Sequence, residues 1–262
     1  MKQRVLTAAV LIPLVLGALF LTLQLPILLL ALALAYLGGV EVSRMLGFQS
    51  RFAGALAAAP ILLPALAPAT ASNSIIVGVV AFIAGVASTV ACSKRPSLTK
   101  GLGFIALLWV TGPLLCLLTL HQIDSRGLWD FKTLVLFAIV PLWAGDTAAI
   151  FVGRAFGKHP LAPTISPNKT IEGGAANLVA CMAATILLAL AIDVSPWFGL
   201  SCGVAAGIFG QTGDLFESWI KRNAGLKDSG SLLPGHGGIM DRIDSILFTA
   251  PPVALIVLAQ SR

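Results

Sequence analysis

The sequence predicts an all-α, polytopic integral membrane protein of about nine transmembrane helices with a cytoplasmic N-terminus. Three observations carry this. Of 262 residues, 57% are hydrophobic and 11% charged, with a mean hydropathy of +0.94, against about 25% charged in a typical soluble domain. The apolar residues fall into runs close to the roughly 20 helical residues that cross a hydrocarbon core about 30 Å thick. Lysine and arginine are distributed very unevenly between alternate loops, as the positive-inside tendency requires.

The runs cover residues 5–23, 25–46, 52–69, 74–92, 101–120, 133–153, 174–192, 197–220 and 243–259. Lys2 and Arg4 precede the first, which has no clean small-residue cleavage site after it and is read as a span rather than a removed leader. With the N-terminus inside, only Arg126, Lys132 and Arg262 of the 17 lysines and arginines fall outside. The net charge of +6 is thereby confined to short loops, which argues against a dispersed nucleic-acid-binding surface and so against a nucleic-acid partner. Cys92, Cys116, Cys181 and Cys202 stand singly in apolar or small-residue surroundings and read as reduced packing residues.

Two regions follow: residues 1–132, with about five spans, and residues 133–262, a candidate catalytic region with polar loops at 153–174 and 221–243. The first is rich in alanine and leucine, broken by Gly38, Gly39, Pro60, Pro64 and Pro68. Its exception is Glu41, near the end of the second run. An interfacial ion pair with Arg44 is the plainer reading of that acid, a catalytic role the sharper one.

Acids inside apolar runs cost about 2.5–3.5 kcal/mol each at the bilayer centre, so Asp146, Asp214 and Glu217 need compensating partners. Beside them, residues 153–174 read GRAFGKHPLAPTISPNKTIEGG. Pro160, Pro163 and Pro167 interrupt any helix there, and Ser166, Asn168, Lys169 and Thr170 offer hydroxyl, amide and ammonium donors suited to phosphate oxygens. A plain positive-inside connector would look similar. Residues 213–245 are denser: GDLFESWIKRNAGLKDSGSLLPGHGGIMDRIDS. At about 100° per residue, Asp214, Glu217, Ser218, Lys221 and Arg222 share one helix face. The helix then frays near Gly225, and Gly230, Pro234, Gly235, Gly237 and Gly238 let backbone approach a ligand.

Hard carboxylate oxygens suit Mg²⁺, and Asp214 and Asp241 are the acids assigned to it, with Asp146 and Glu217 holding a second cation or orienting the lysines. Lys169, Lys221 and Arg222 would neutralise charge on a transferring phosphorus centre. His236 is read either as an acid or phosphate donor or as a loop-stabilising residue; His121 and His159 are read as ordinary interfacial residues. The five tryptophans are read as interface anchors and packing residues.

The run Ser218-x-Ile220-Lys221-Arg222, Lys227-Asp228-x-Gly230 and Leu233-Pro234-Gly235-His236-Gly237-Gly238-x-x-Asp241-Arg242-x-Asp244 resembles the signature of the phosphatidate cytidylyltransferases, or CDP-diacylglycerol synthases. Asp146-Thr147, Gly153-Arg154, Gly157-Lys158, Ser166-Pro167-Asn168-Lys169-Thr170 and Glu172-Gly173 resemble that family's other shared segment. The motif-bearing likeness covers residues 140–250. It implies a membrane enzyme, dimeric, that joins CTP and phosphatidate with Mg²⁺, alone or with a second cation, to give CDP-diacylglycerol and pyrophosphate. Acids matching Asp214 and Asp241 would hold metal. Ser166, Asn168, Lys169, Thr170, Ser218, Lys227, Gly237, Gly238 and Arg242 would bind substrate, in an inner-membrane site open to the cytoplasm. Two rivals remain: a CTP-dependent polyprenol or phytol kinase, and a transporter with acids along an ion path. Against the latter, the polar groups crowd one interface and no repeat is visible.

Overall fold

The computed structural model describes residues 17, 24–48, 52–62, 71–123, 134–232 and 237–260. Its helices are α1 (Gln24–Met45), α2 (Ala53–Ala58, continued by a 3₁₀ turn Ala59–Leu62), α3 (Ala71–Lys94), α4 (Thr99–Ala106), α5 (Leu108–Ile123), α6 (Leu136–Phe156), α7 (Ile171–Ala191), α8 (Pro196–Asn223) and α9 (Met240–Gln260). Among the described residues the regular structure is helical except for one antiparallel hairpin, β1 (Pro160–Ala162) and β2 (Ser166–Thr170), between α6 and α7.

Among the described residues six helical segments are long and apolar enough to span: Leu25–Met45, Ser72–Lys94, Pro96–Ile123, Leu136–Phe156, Ile171–Ala191 and Met240–Gln260. The chain is a multi-pass membrane protein. The run at 5–23 lies outside the described residues apart from Gly17. The run at 52–69 yields only the short apolar segment Ala53–Leu62, and residues 63–70 lie outside the described residues. The run at 101–120 divides into α4 and α5 at Leu107. The 28-residue α8 is absent from the six; five glycines and the charged residues of its last turns lower its hydropathy.

The chain forms two compact units: residues 1–132 with 220–243, and residues 133–219 with 244–262. In the first, α3 and α5 meet through glycine, because a Cβ on Gly78 would lie 2.8 Å from the Gly112 carbonyl and one on Gly112 2.6 Å from the Phe82 nitrogen. The Thr111 hydroxyl on α5 donates to the Ala57 carbonyl of α2 at 2.7 Å, which ties a third element to the pair.

The second unit contains α6, the hairpin, α7 and most of α8 and α9. Gly199, Gly203 and Gly207 recur every fourth residue on α8 and form one stripe. Added Cβ atoms there would stand 2.5 Å from the Thr185 carbonyl, 2.5 Å from Met182 Cα and 2.9 Å from Leu178 Cα, all on α7. The stripe is why these backbones come so close, the small-residue packing that helices in lipid favour. Beneath it Leu142, Cys181 and Ala206 form a buried cluster with Ile246 packed against it.

Candidate active site

The polar face of the second unit is built by the hairpin. After α6 ends at Phe156, Pro160 and Pro167 lie in the two strands and Pro163 in the turn between them, and β2 delivers Lys169 and Thr170 to the start of α7. Thr170 is the N-cap of α7: its side chain accepts from the Gly173 N–H at 3.1 Å, satisfying one of the helix's unpaired donors. Glu172, in the first turn, accepts from the backbone N–H groups of Lys158 (3.2 Å) and His159 (3.3 Å) and meets His159 Nδ1 at 2.7 Å. His159, read from sequence as an ordinary interfacial residue, thus closes the hairpin against the helix it precedes. That pairing spans 13 residues and a strand reversal, beyond the reach of helical periodicity.

A cavity of about 440 Å³ opens on this face, lined among others by Asp146, Arg154, Asn168, Lys169, Asn177 and Asp214. Lys169 Nζ and Asp214 Oδ2 form an ion pair at 2.5 Å, with side chains 30% and 36% exposed. Asn177 Nδ2 donates to Asp146 Oδ1 at 3.3 Å, and the Ser218 hydroxyl donates to Asp214 Oδ1 at 3.4 Å. Asp146 and Asp214 both line this cavity. Gln211, also at the cavity, is held by its amide's donation to the carbonyls of Gly174 (3.1 Å) and Gly207 (2.7 Å).

The first unit holds the other polar group. Lys221 Nζ meets Asp241 Oδ1 at 2.5 Å, with side chains 11% and 8% exposed. Asp241 Oδ2 accepts from Gly238 N–H (2.8 Å) and Ser229 N–H (3.0 Å), and Ser229 Oγ lies 3.1 Å away. The turn leading there has a Schellman end to α8: Gly225, at φ +70°, donates to the Arg222 carbonyl at 3.0 Å, and Leu226 donates to Lys221 at 2.8 Å. Gly237, at φ +82°, makes the second left-handed step.

Of the site residues expected from sequence, Asp146, Asn168, Lys169, Thr170 and Asp214 line the cavity. Lys221, Gly237, Gly238 and Asp241 belong to the network of the first unit. Ser218 bonds to Asp214. Arg222, Lys227 and Arg242 are exposed, Ser166 is half-buried in β2, and Glu217 is buried. His236 lies outside the described residues. Sequence reasoning missed Asn177, Gln211, Ser229 and the site connection of Glu41. Glu41 makes no ion pair with Arg44, which is exposed; it is buried, and accepts from Ser229 Oγ, Ile239 N and Met240 N at 2.8, 3.0 and 2.9 Å. The one available signal, an acid in an apolar run, did not identify partners some 190 residues away.

Among the described residues no three His, Cys, Asp or Glu side chains converge on a preformed cation cage. Two carboxylates in one cavity, with Asn168 also in its lining, still fit Mg²⁺, which commonly takes one or two carboxylates and completes its shell with water and substrate phosphates.

A multi-pass helical protein with paired lysines and acids, a lysine-bearing hairpin beside a cavity and hard oxygen donors fits a membrane enzyme handling phosphate esters. The Cytidylyltransferase family matches residues 2–259, and the chain belongs to that family. Curated relatives include phosphatidate cytidylyltransferases of Staphylococcus saprophyticus, 41% identical over 141 residues (53% of this chain and 53% of the relative); of Staphylococcus haemolyticus, 39% over 151 residues (55% and 58%); and of Staphylococcus aureus, 37% over 151 residues (55% and 58%). The chain spans a little over half the length of these relatives in the matched region.

Proposed function

We propose that this protein transfers the cytidylyl group of CTP to phosphatidate, giving CDP-diacylglycerol and pyrophosphate for phospholipid synthesis. The observation that carries the reading is the shared family, with relatives named for this activity, joined to a cavity that presents Lys169 and two carboxylates.

In the proposed reaction a phosphatidate oxygen forms a bond to the α-phosphorus of CTP as the bond to pyrophosphate breaks in line. The attacking phosphate is ionised near neutral pH, so no strong general base is required. The main obstacle is repulsion between two anions. Lys169, Lys221 and Arg222 counter it, while the donors of Ser166, Asn168 and Thr170 and the glycine backbone at Gly237 and Gly238 orient phosphate oxygens. Ser218, Lys227 and Arg242 complete the substrate contacts, and His236 donates to phosphate. Asp214 and Asp146, and on the sequence signature also Asp241, would hold Mg²⁺, which would supply charge neutralisation at the reacting phosphates. A second cation and a homodimer belong to the same proposal.

The site faces the cytoplasm in the proposed topology of nine spans with an inner N-terminus. The lysine and arginine asymmetry supports that orientation. Acyl chains then stay between helices while the headgroup meets cytosolic CTP, which places the protein in the cell's inner membrane.

The test uses the full chain in detergent with labelled CTP, phosphatidate and Mg²⁺. Pyrophosphate and a CDP-lipid are expected in equal amounts. Release of CDP would instead indicate a CTP-dependent kinase. Full turnover by an Asp214→Asn, Asp241→Asn double variant would overturn the metal assignment.

A further inference from the structure

The start of α9 has no capping side chain of its own. Gly238 and Ile239, the residues just before it, carry no acceptor, so its first N–H groups must find partners elsewhere. Glu41, on α1, supplies them: Oε1 accepts from Ile239 N–H at 3.0 Å and Oε2 from Met240 N–H at 2.9 Å. Asp241 reaches back to Gly238 N–H at 2.8 Å, and Asp241 N–H points at Ser229 Oγ at 3.4 Å. Two carboxylates and one hydroxyl thereby satisfy four successive backbone donors. The Ser229 hydroxyl sits between Glu41 Oε2 (2.8 Å) and Asp241 Oδ2 (3.1 Å), and its single proton serves one of them at a time. The glycines of the segment fit this approach: a Cβ on Gly230 would lie 2.6 Å from Glu41 Oε1, and one on Gly238 2.5 Å from Oε2.

We propose that Glu41 is a positioning residue for the reaction. It fixes the N-terminus of α9 and the Ser229 hydroxyl, and through them the direction of the Asp241 carboxylate and the Lys221 ammonium bound to it. Burying a carboxylate is costly unless donors surround it. Here two donors come from the start of α9, which bears Asp241, and a third is the Ser229 hydroxyl that also reaches Asp241, so the charge serves the placement of that group. The helix N-terminus adds a favourable field for the anion. This inference rests on the reading of Asp241 and Lys221 as site groups.

The closing experiment compares wild type, Glu41→Gln, Ser229→Ala and the double variant in detergent, by hydrogen exchange and by turnover. Glutamine keeps the size of the side chain but offers one acceptor where two are used, so one backbone N–H loses its partner. Exchange over residues 237–241 is expected to rise by at least about tenfold in Glu41→Gln, with exchange of α3 unchanged. With CTP and phosphatidate, kcat is expected to fall at least about tenfold while KM for CTP moves less than about threefold. Because Glu41 and Ser229 act through one chain of bonds, the double variant is expected to match the worse single variant rather than the product of the two. Unchanged exchange at 237–241 overturns the proposal, as do multiplicative kcat losses. A wild type without cytidylyltransferase turnover refutes the proposed function instead, and the exchange measurement still decides whether Glu41 holds the segment. If Glu41→Gln does not fold, Ser229→Ala alone must raise exchange and lower kcat, and failure to do either overturns the proposal.

Discussion

Replacing Lys169 by methionine separates folding from catalysis. The Lys169–Asp214 pair is short, at 2.5 Å, yet its side chains are 30% and 36% exposed, so water can solvate Asp214 once the ammonium is gone. Pairs of that kind contribute about 0–1 kcal/mol to stability, and for a chain of this size about 1 kcal/mol shifts Tm by only about 2–4 °C. The cost to turnover is expected to be much larger. A preorganised group aimed at developing charge accounts for about 100-fold to 1000-fold in kcat, or about 2.7–4 kcal/mol. Lys169 lines the same cavity as Asp146 and Asp214, where the proposed function brings two anionic substrates together. The assay pairs thermal unfolding in detergent with release of pyrophosphate from CTP in the presence of phosphatidate. The expected result is a nearly unchanged Tm with kcat lowered by two to three orders of magnitude. A variant within about threefold of wild-type kcat, or one whose Tm falls by more than about 10 °C, would refute the reasoning.

Lys221 should behave differently, because it and Asp241 are 11% and 8% exposed; Lys221→Ala leaves a buried carboxylate without its cation and is expected to cost about 3–5 kcal/mol in unfolding experiments, well above the cost of Lys169→Met. Thr170→Ala removes the cap that accepts from Gly173 and should lower stability by about 1 kcal/mol, measured as a shift in Tm. On α8, Gly203→Val places a Cβ 2.5 Å from Met182 Cα, so it should sharply reduce the folded yield read by size-exclusion chromatography. A Cβ at Gly101 meets nothing within 4 Å; Gly101→Ala in α4 is therefore expected to be neutral or to raise stability by up to about 1 kcal/mol.

Much of the helical architecture was legible because apolarity and helical period are local properties. The run at 25–46 became α1, that at 74–92 lies within α3, and that at 243–259 lies within α9. The break after Asn223 was legible for the same reason: Gly225 tolerates the left-handed turn that ends α8. The hairpin was only half legible. Its prolines excluded a helix, but the register of Pro160 against Thr170 and the clasp of His159 by Glu172 depend on strands folding back on each other.

The sequence by itself determined most of the helical segments among the described residues and pointed to residue types suited to phosphate and a divalent cation, since hydropathy, glycine and proline placement, and the polar signature at 218–244 all act over short range. Only the tertiary structure decided how charges are shared. Lys169 goes to Asp214, Lys221 goes to Asp241, and Glu41 caps a helix that begins almost 200 residues later. Such pairings are set by which helix backbones can approach, so no periodic pattern in a single segment encodes them.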